Sequence, residues 1–455
     1  MYRSIVTGSR GSRLEPWFAP FALVNGSAVG LVPILLPVVA DRYGVAHVGL
    51  VMGAFNLGAF AAPATGALAD KFGTYRLLSM ACAAISAVTL WLFPIAGSAP
   101  QLVLALGNGA GFAGAMTIAN LMIVERRPKA EWNSRLGWLE MTLGAGQGCA
   151  LLVAAWLSTL SARNALLIGA FIPAAAIPLA VVCIRRSAMP GRARTPDVPA
   201  APGRARTPDV PPGPTRAAAG STQAGASHRL AHIGLVGEWG PASPSRLHQV
   251  RGRRRPFHGA RKVLDGGFGW MLVAWAAAYA GAAVIFSLYP VLFQHAFGVA
   301  PDTSAIAFAV IVFVSLPLFV LAGRVSQRRG PVTLISAAMG ARVVLLAGLA
   351  GLAAAGHVPY IIPLAAFAGI LFAWSFLSVA SPALTAALVP DAEGDAQGLL
   401  NATSGVAALI GSVGGGEVAE AWGYAAALTL GAAAVAVGLT VFLARVARRP
   451  PQPGV

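Results

Sequence analysis

Glu140 is the residue of this chain best placed to do chemistry, because it stands inside an otherwise apolar run, 136–160, where an ionised side chain is expensive and marks a functional candidate. A carboxylate so placed is a candidate for taking up and releasing a coupling proton. Its other reading is a salt bridge with the neighbouring cations Arg126, Arg127 or Arg135. Arg342, near the middle of the run 331–353, either holds an anionic solute or pairs with an acid. Glu417 and Glu420, near the end of the run 397–422, read as interface residues. The other reactive residue types are scattered. His47, His295 and His357 form no acid, base or metal constellation, and His228 and His232 lack a Cys or carboxylate cluster to complete a metal shell. Cys82, Cys149 and Cys183 sit in apolar runs without CxxC spacing and read as small buried side chains. No G-x-x-x-x-G-K-(S/T) loop occurs, so ATP does not power this chain directly. Neither a metal, a cofactor nor an enzymatic activity is expected.

The elements that must position these residues are membrane spans. The chain has 455 residues, 56% hydrophobic and 11% charged, against roughly 25% charged in soluble domains, and its mean hydropathy is +0.69. A helix crossing the hydrocarbon needs about 20 apolar residues. Twelve such runs are legible, near 17–39, 45–69, 76–97, 100–124, 136–160, 163–184, 268–293, 301–322, 331–353, 359–388, 397–422 and 423–446. The net charge of +17 would suit nucleic acid, but the placement of the charge argues for topology instead. Of the 33 Lys and Arg, all but Arg42, Arg163 and Arg342 fall in the termini, the central loop and the turns on one side of the spans. That asymmetry puts both termini and the central loop in the cytoplasm, with the plasma (inner) membrane as the expected location and no nucleic-acid partner. Met1–Pro16 is polar and precedes a run long enough to span, so no cleavable signal peptide is read there.

Residues 185–266 differ in kind. The decapeptide PGRARTPDVP at Pro190–Pro199 recurs at Pro202–Pro211, and the rest is rich in Pro, Gly, Ala and Arg, with a basic cluster at Arg251, Arg253, Arg254 and Arg255. Such a composition cannot bury enough apolar area to offset its ordering entropy. It is expected to be a disordered basic linker between a first unit at 1–184 and a second at 267–455, whose basic cluster reads as solvated chain that helps fix topology, with contact to anionic lipid headgroups as the alternative.

A second duplication is subtler. Gly66-Ala67-Leu68-Ala69-Asp70-Lys71-Phe72-Gly73-Thr74-Tyr75-Arg76 is echoed by Gly323-Arg324-Val325-Ser326-Gln327-Arg328-Arg329-Gly330, each after an apolar run and before the next. Duplicated turns between duplicated spans indicate two related membrane halves, an arrangement typical of transporters. Asp70 falls at the C-terminal end of its own helix, where the macrodipole disfavours an anion, so the N-terminus of another helix is its natural partner. Gly66 is expected to admit a close helix.

Twelve spans in two sets of six, a long central loop and this turn in both halves resemble the major facilitator superfamily. The family's turn reads G-x-L-x-D-(R/K)-x-G-(R/K)-(R/K); Gly66, Leu68, Asp70, Lys71 and Gly73 match it, Thr74 and Tyr75 depart from it, and Arg76 supplies a cation one step later. The resemblance implies an all-α membrane protein of two pseudo-symmetric six-helix bundles that rock about a central site. It also implies a conformational latch made of Gly66, Asp70, Lys71, Gly73 and Arg76 with the echo Gly323, Arg328 and Gly330, in which Asp70 meets the start of helix 11 near Gln397-Gly398. Gln327 stands where the echo would carry the acid, so the latch is expected to be lopsided.

The family's cavity is lined by helices 1, 4, 7 and 10. The carried-over candidates are Asn25, Asn108, Asn120, Trp275, Tyr279, Tyr289 and Trp374, with Phe286, Phe367 and Ser378 beside them. In span 7 the aromatic spacing places Trp275, Tyr279, Phe286 and Tyr289 on one helical face. Few charges there suit a neutral or amphipathic small solute. The run Gly144-Ala145-Gly146-Gln147-Gly148 is similar to a glycine-proline motif of drug–proton antiporters, with no proline; Gly144 aligns with Gly405, and both helices carry small residues that allow sliding. Proton-coupled efflux by a monomeric secondary transporter is the leading expectation. An uptake permease for a small metabolite, or a non-transporting sensor or scaffold, is the alternative.

Overall fold

A computed structural model describes residues 15–126, 132–184, 267–356, 358–389 and 393–448. The expected linker, 185–266, and Arg127 and His357 lie outside the described residues, as do the side chains of Asp70, Lys71 and Arg126. Twelve helical segments are long and apolar enough to cross a membrane. They are α1 (Phe18–Tyr43), α2 (Val45–Ala69), α3 (Tyr75–Ile95), α4 (Ser98–Arg126), α5 (Trp132–Ser158) and α6 (Ala162–Cys183). The second half supplies α7 (Gly267–Phe297), α8 (Pro301–Arg329), α9 (Pro331–Ala355), α10 (Ile361–Leu388), α11 (Glu393–Trp422) and α12 (Tyr424–Ala447).

The first six pack on one another, chiefly α1 with α5, α2 with α4 and α3 with α4; the last six do likewise, chiefly α7 with α11 and α12, and α9 with α10 and α12. The two bundles meet along α2–α11 and α5–α8, and less extensively along α1–α7. Advancing α2 and α11 by six spans, cyclically, turns the first pair into α8 and α5, so the two main seams are related by the internal two-fold. The chain termini and the duplicated turns share one end, called here the basic end; the loops joining α1 to α2 and α7 to α8 lie at the far end.

Two local departures from the expected spans have physical causes. The charged echo, expected as a turn after residue 322, is helix as far as Arg329. Arg328 and Arg329 suit a helix C-terminus, where the dipole favours cations. The reversal falls on Gly330 (φ +81), and in the first copy on Gly73 (φ +61), the left-handed region that glycine enters freely. The second departure is a π turn over Ser27–Leu31 within α1. Pro33 follows and has no N–H to offer the Val29 carbonyl four residues back.

Candidate functional site

That orphaned carbonyl helps to tie α1 to α5. Gln147 donates its Nε2 to Val29 O at 3.2 Å, and Asn25 returns an amide donor to Leu143 O at 2.9 Å. Between these two bonds Gly146 lies against the backbone of Ala22, leaving no space for a side chain. Asn25 and Gln147 are therefore a reciprocal clamp inside the first bundle. Gln147 stands in the glycine run that lacks the expected proline, and sequence reasoning gave it no role; the signal that could have found it is Pro33.

Glu140 lies one turn before Leu143 on the same helix, about 12 Å from the start of α5 at 1.5 Å per residue. It is 9% exposed, and its Oε2 is buried with no hydrogen-bond partner. Arg135, one of its expected salt-bridge partners, instead approaches Glu15 at 3.1 Å, and Glu15 also accepts from Trp17 Nε1 at 2.7 Å. Asn120 donates to Met116 O in its own helix at 3.0 Å, leaving its Oδ1 buried and without a partner. Asn108 faces α3, donating to Ser86 O and Thr89 Oγ1, both at 3.1 Å.

In the second bundle the aromatic face of α7 divides into two clusters. Trp275, Tyr279 and Trp374 form a triangle with ring centroids 5.8–6.1 Å apart. Trp275 Nε1 donates to Ser404 Oγ of α11 at 2.8 Å, and the Arg342 guanidinium carbon lies 5.4 Å from the Trp374 ring centroid. Arg342 is 1% exposed and gives Nη2 to Ile370 O at 3.4 Å, so it is enclosed between α9 and α10. Nearer the far end, Tyr289 stacks on Phe367 with centroids 4.0 Å apart, among Phe286, Phe293 and Phe308. Its hydroxyl donates to Ser304 O at 2.9 Å and the residue is fully buried. Tyr289 thus shares a core with Phe367 and is apart from the Trp275 group.

The glycines of the duplicated turn lie at the basic end. Among the described residues, a Cβ on Gly66 would meet only Thr117 and Leu121 of α4, at 3.5 and 4.0 Å, so the helix beside Gly66 lies at ordinary contact distance. Among the described residues, nothing lies within 4 Å of an added Cβ on Gly323, or on Gly398 near the start of α11. Gln327 and Arg328 are exposed, and Arg76 is half-buried.

At the far end the bundles are joined. Gly49 and Gly416 bring α2 and α11 together so closely that a Cβ on Gly416 would lie 2.9 Å from the Gly49 Cα. Deeper along the seam, Asn56 Nδ2 reaches Ser412 Oγ at 3.5 Å, and Ser412 in turn hydrogen-bonds Ser287 of α7. Asp41 of α1 meets His295 of α7 at 3.0 Å, and Glu420 of α11 accepts the Ala46 N–H at 2.7 Å. Arg42, a rare far-end cation, donates to the carbonyls of Pro94 and Ala96 at the end of α3. His47 pairs with Gln101 at 2.9 Å within the first bundle. Sequence reasoning assigned Asp41 nothing and found no constellation for His295. They lie 254 residues apart, and only the docking of the two bundles makes them neighbours.

The family model described as Major Facilitator Superfamily matches residues 18–381 and, in a second match, 271–455. The chain belongs to the major facilitator superfamily. Among solved structures, that of the nucleoside transporter NupG is 13% identical, covers 95% of this chain and 98% of its own, and superposes with a TM-score of 0.66. A bacterial homologue of the human lysosomal transporter Spinster, captured inward-facing and occupied, is also 13% identical, covering 95% of this chain and 96% of its own with a TM-score of 0.65. At these identities the likeness is one of fold. No curated protein matches the chain in sequence. Membership in the superfamily makes passage of a solute across a membrane the general activity, and the superfamily fold of twelve spans makes the chain an integral, multi-pass membrane protein.

Proposed function

We propose that this superfamily member is a proton-coupled secondary transporter that moves a small amphipathic solute by alternating access, with its basic end in the cytoplasm and both termini there. The observation that carries the reading is the asymmetry of the bundle seam. The far ends are held by Gly49–Gly416, Asp41–His295 and Glu420–Ala46, whereas among the described residues Gly66, Gly323 and Gly398 at the basic end meet nothing from the opposite bundle. With the positive-inside assignment of the sequence, this is an inward-facing state, and alternating access is the rocking of one bundle against the other about a central site.

Glu140 is the proposed proton carrier. Its buried oxygen has no partner and the nearby Arg135 is engaged by Glu15, which favours proton carriage over the salt-bridge reading. The solute would lie between Asn25, Asn120 and Glu140 on one side and Trp275, Tyr279 and Trp374 on the other. Polar amides and one acid facing aromatic rings suit an amphipathic molecule. The relatives named for nucleoside and lysosomal transport lend the proposal a small-molecule substrate, with efflux as the proposed direction in the plasma (inner) membrane. A ligand-stabilisation screen of the purified chain against drugs, nucleosides, sugars, amino acids and organic anions supplies the substrate. Counterflow of that substrate in proteoliposomes, with and without a pH gradient, then tests the reading. Binding without any flux would make the chain a sensor or scaffold, and flux indifferent to the gradient would remove the proton.

A further inference from the structure

The acid Glu420 has a position that neither its own helix nor its exposure explains. It lies in the last turn of α11, where the helix dipole disfavours a negative charge. Its side chain crosses to the other bundle and accepts the Ala46 N–H at 2.7 Å. Ala46 belongs to the first turn of α2, whose N-cap is Gly44 with φ +98 and no side chain to cap the free N–H groups. The Gly44 backbone passes so close to the carboxylate that a Cβ there would fall 2.8 Å from Oε2. An unfavourable helix C-terminus and an uncapped helix N-terminus thus satisfy each other across the seam.

The same pair of helices carries an acid at its opposite end, for Asp70 directly follows α2, in helix that runs on to Phe72. The symmetry-related pair, α5 and α8, has no acid at the two corresponding helix C-termini. Gln327 stands opposite Asp70 in the echo, and aligning Gly144 with Gly405 puts Thr159 where α11 has Glu420.

We propose that Glu420 is the far-end latch of this transporter: its carboxylate on the α2 N-terminus holds the external ends of the bundles together and so favours the inward-facing state. It opposes Asp70 on the same helix pair, and Asp41–His295 assists it from the neighbouring α1–α7 seam. The inference rests on the alternating-access reading above. Because the contact is solvent-exposed, its effect should be modest and weakened by salt.

The test uses the full-length chain in lipid nanodiscs, with native cysteines replaced and spin labels at Leu160 and Tyr360, exposed far-end residues on opposite bundles. Pulsed electron-spin distances report the two populations. Glu420→Gln keeps the shape and removes the charge, and is expected to raise the outward-open to inward-open ratio roughly two- to fivefold. Ala46→Pro removes the donor at a first-turn position that tolerates proline. It should shift the populations the same way, and Glu420→Gln added to it should change little further. Two populations that ignore Glu420→Gln, or full additivity with Ala46→Pro, would overturn the latch. A single distance in every variant, with no response to the stabilising solute, would instead overturn alternating access itself.

Discussion

At the scale of single residues, two acids carry distinct predictions. If Glu140 takes up and releases a proton in each cycle, Glu140→Gln should abolish flux driven by a pH gradient while leaving solute exchange and binding in place. Gradient-driven uptake into vesicles, compared with counterflow, checks this; normal gradient-driven flux would return Glu140 to a structural role. If Asp70 acts as the basic-end latch, its charge just after α2 is worth about 0.3–2 kcal/mol when it meets the start of α11, a contact available only with the basic ends together. Asp70→Asn should therefore shift the population toward the inward-facing state, by up to about tenfold for 1.4 kcal/mol, while Gln327→Ala shifts it less. Labels at Leu77 and Arg329, exposed at the basic ends of opposite bundles, would report it. Unchanged distances in Asp70→Asn would dismiss that contact.

At the scale of elements, the α2–α11 seam depends on glycine in a position-specific way. Gly416 faces Gly49 with no space for a side chain, while two residues away Gly414 has nothing within 4 Å of an added Cβ. Gly416→Val should force the seam apart, at a cost typical of overpacking, about 1–3 kcal/mol. The chain should then populate the outward-open state or lose thermal stability. Gly414→Val, at a half-buried position with open space beside it, should alter stability by less than about 0.5 kcal/mol. Thermal unfolding in detergent, with the far-end distances, separates the two; equal effects would mean that the seam is not the tight contact described. The clamp between α1 and α5 follows the same logic of backbone satisfaction. Pro33 removes a donor, Val29 exposes a carbonyl, and Gln147 supplies the missing amide.

At the scale of the whole molecule, the basic central loop is proposed to connect the bundles and help set their orientation without taking part in transport. Deleting 190–249 while keeping Arg251–Lys262 should leave insertion and flux nearly unchanged, because the cationic residues that orient the spans remain. Counterflow of the identified substrate would check it, and a deletion variant that reaches the membrane but moves nothing would give the loop a function. In the alternating-access reading, the far-end and basic-end contacts compete, and their difference of a few kcal/mol or less sets which side is open.

Much of this was legible in the residues alone. Span number and approximate ends followed from apolar runs of bilayer length, since hydrocarbon admits few other solutions for the backbone. The two-half architecture followed from the echo of Gly66–Gly73 at Gly323–Gly330, and both terminal glycines take the positive φ of a helix stop. Glu140 stood out because charge in a span is costly wherever that span packs. The tertiary structure alone decided partners: that Arg135 meets Glu15, that Tyr289 belongs to a sealed ring cluster, that Asn108 turns toward α3, and that Glu420 finds Ala46, 374 residues away. Periodicity assigns a residue to a face of its own helix. Which helix covers that face depends on how two bundles dock, and that is a long-range property no local spacing encodes.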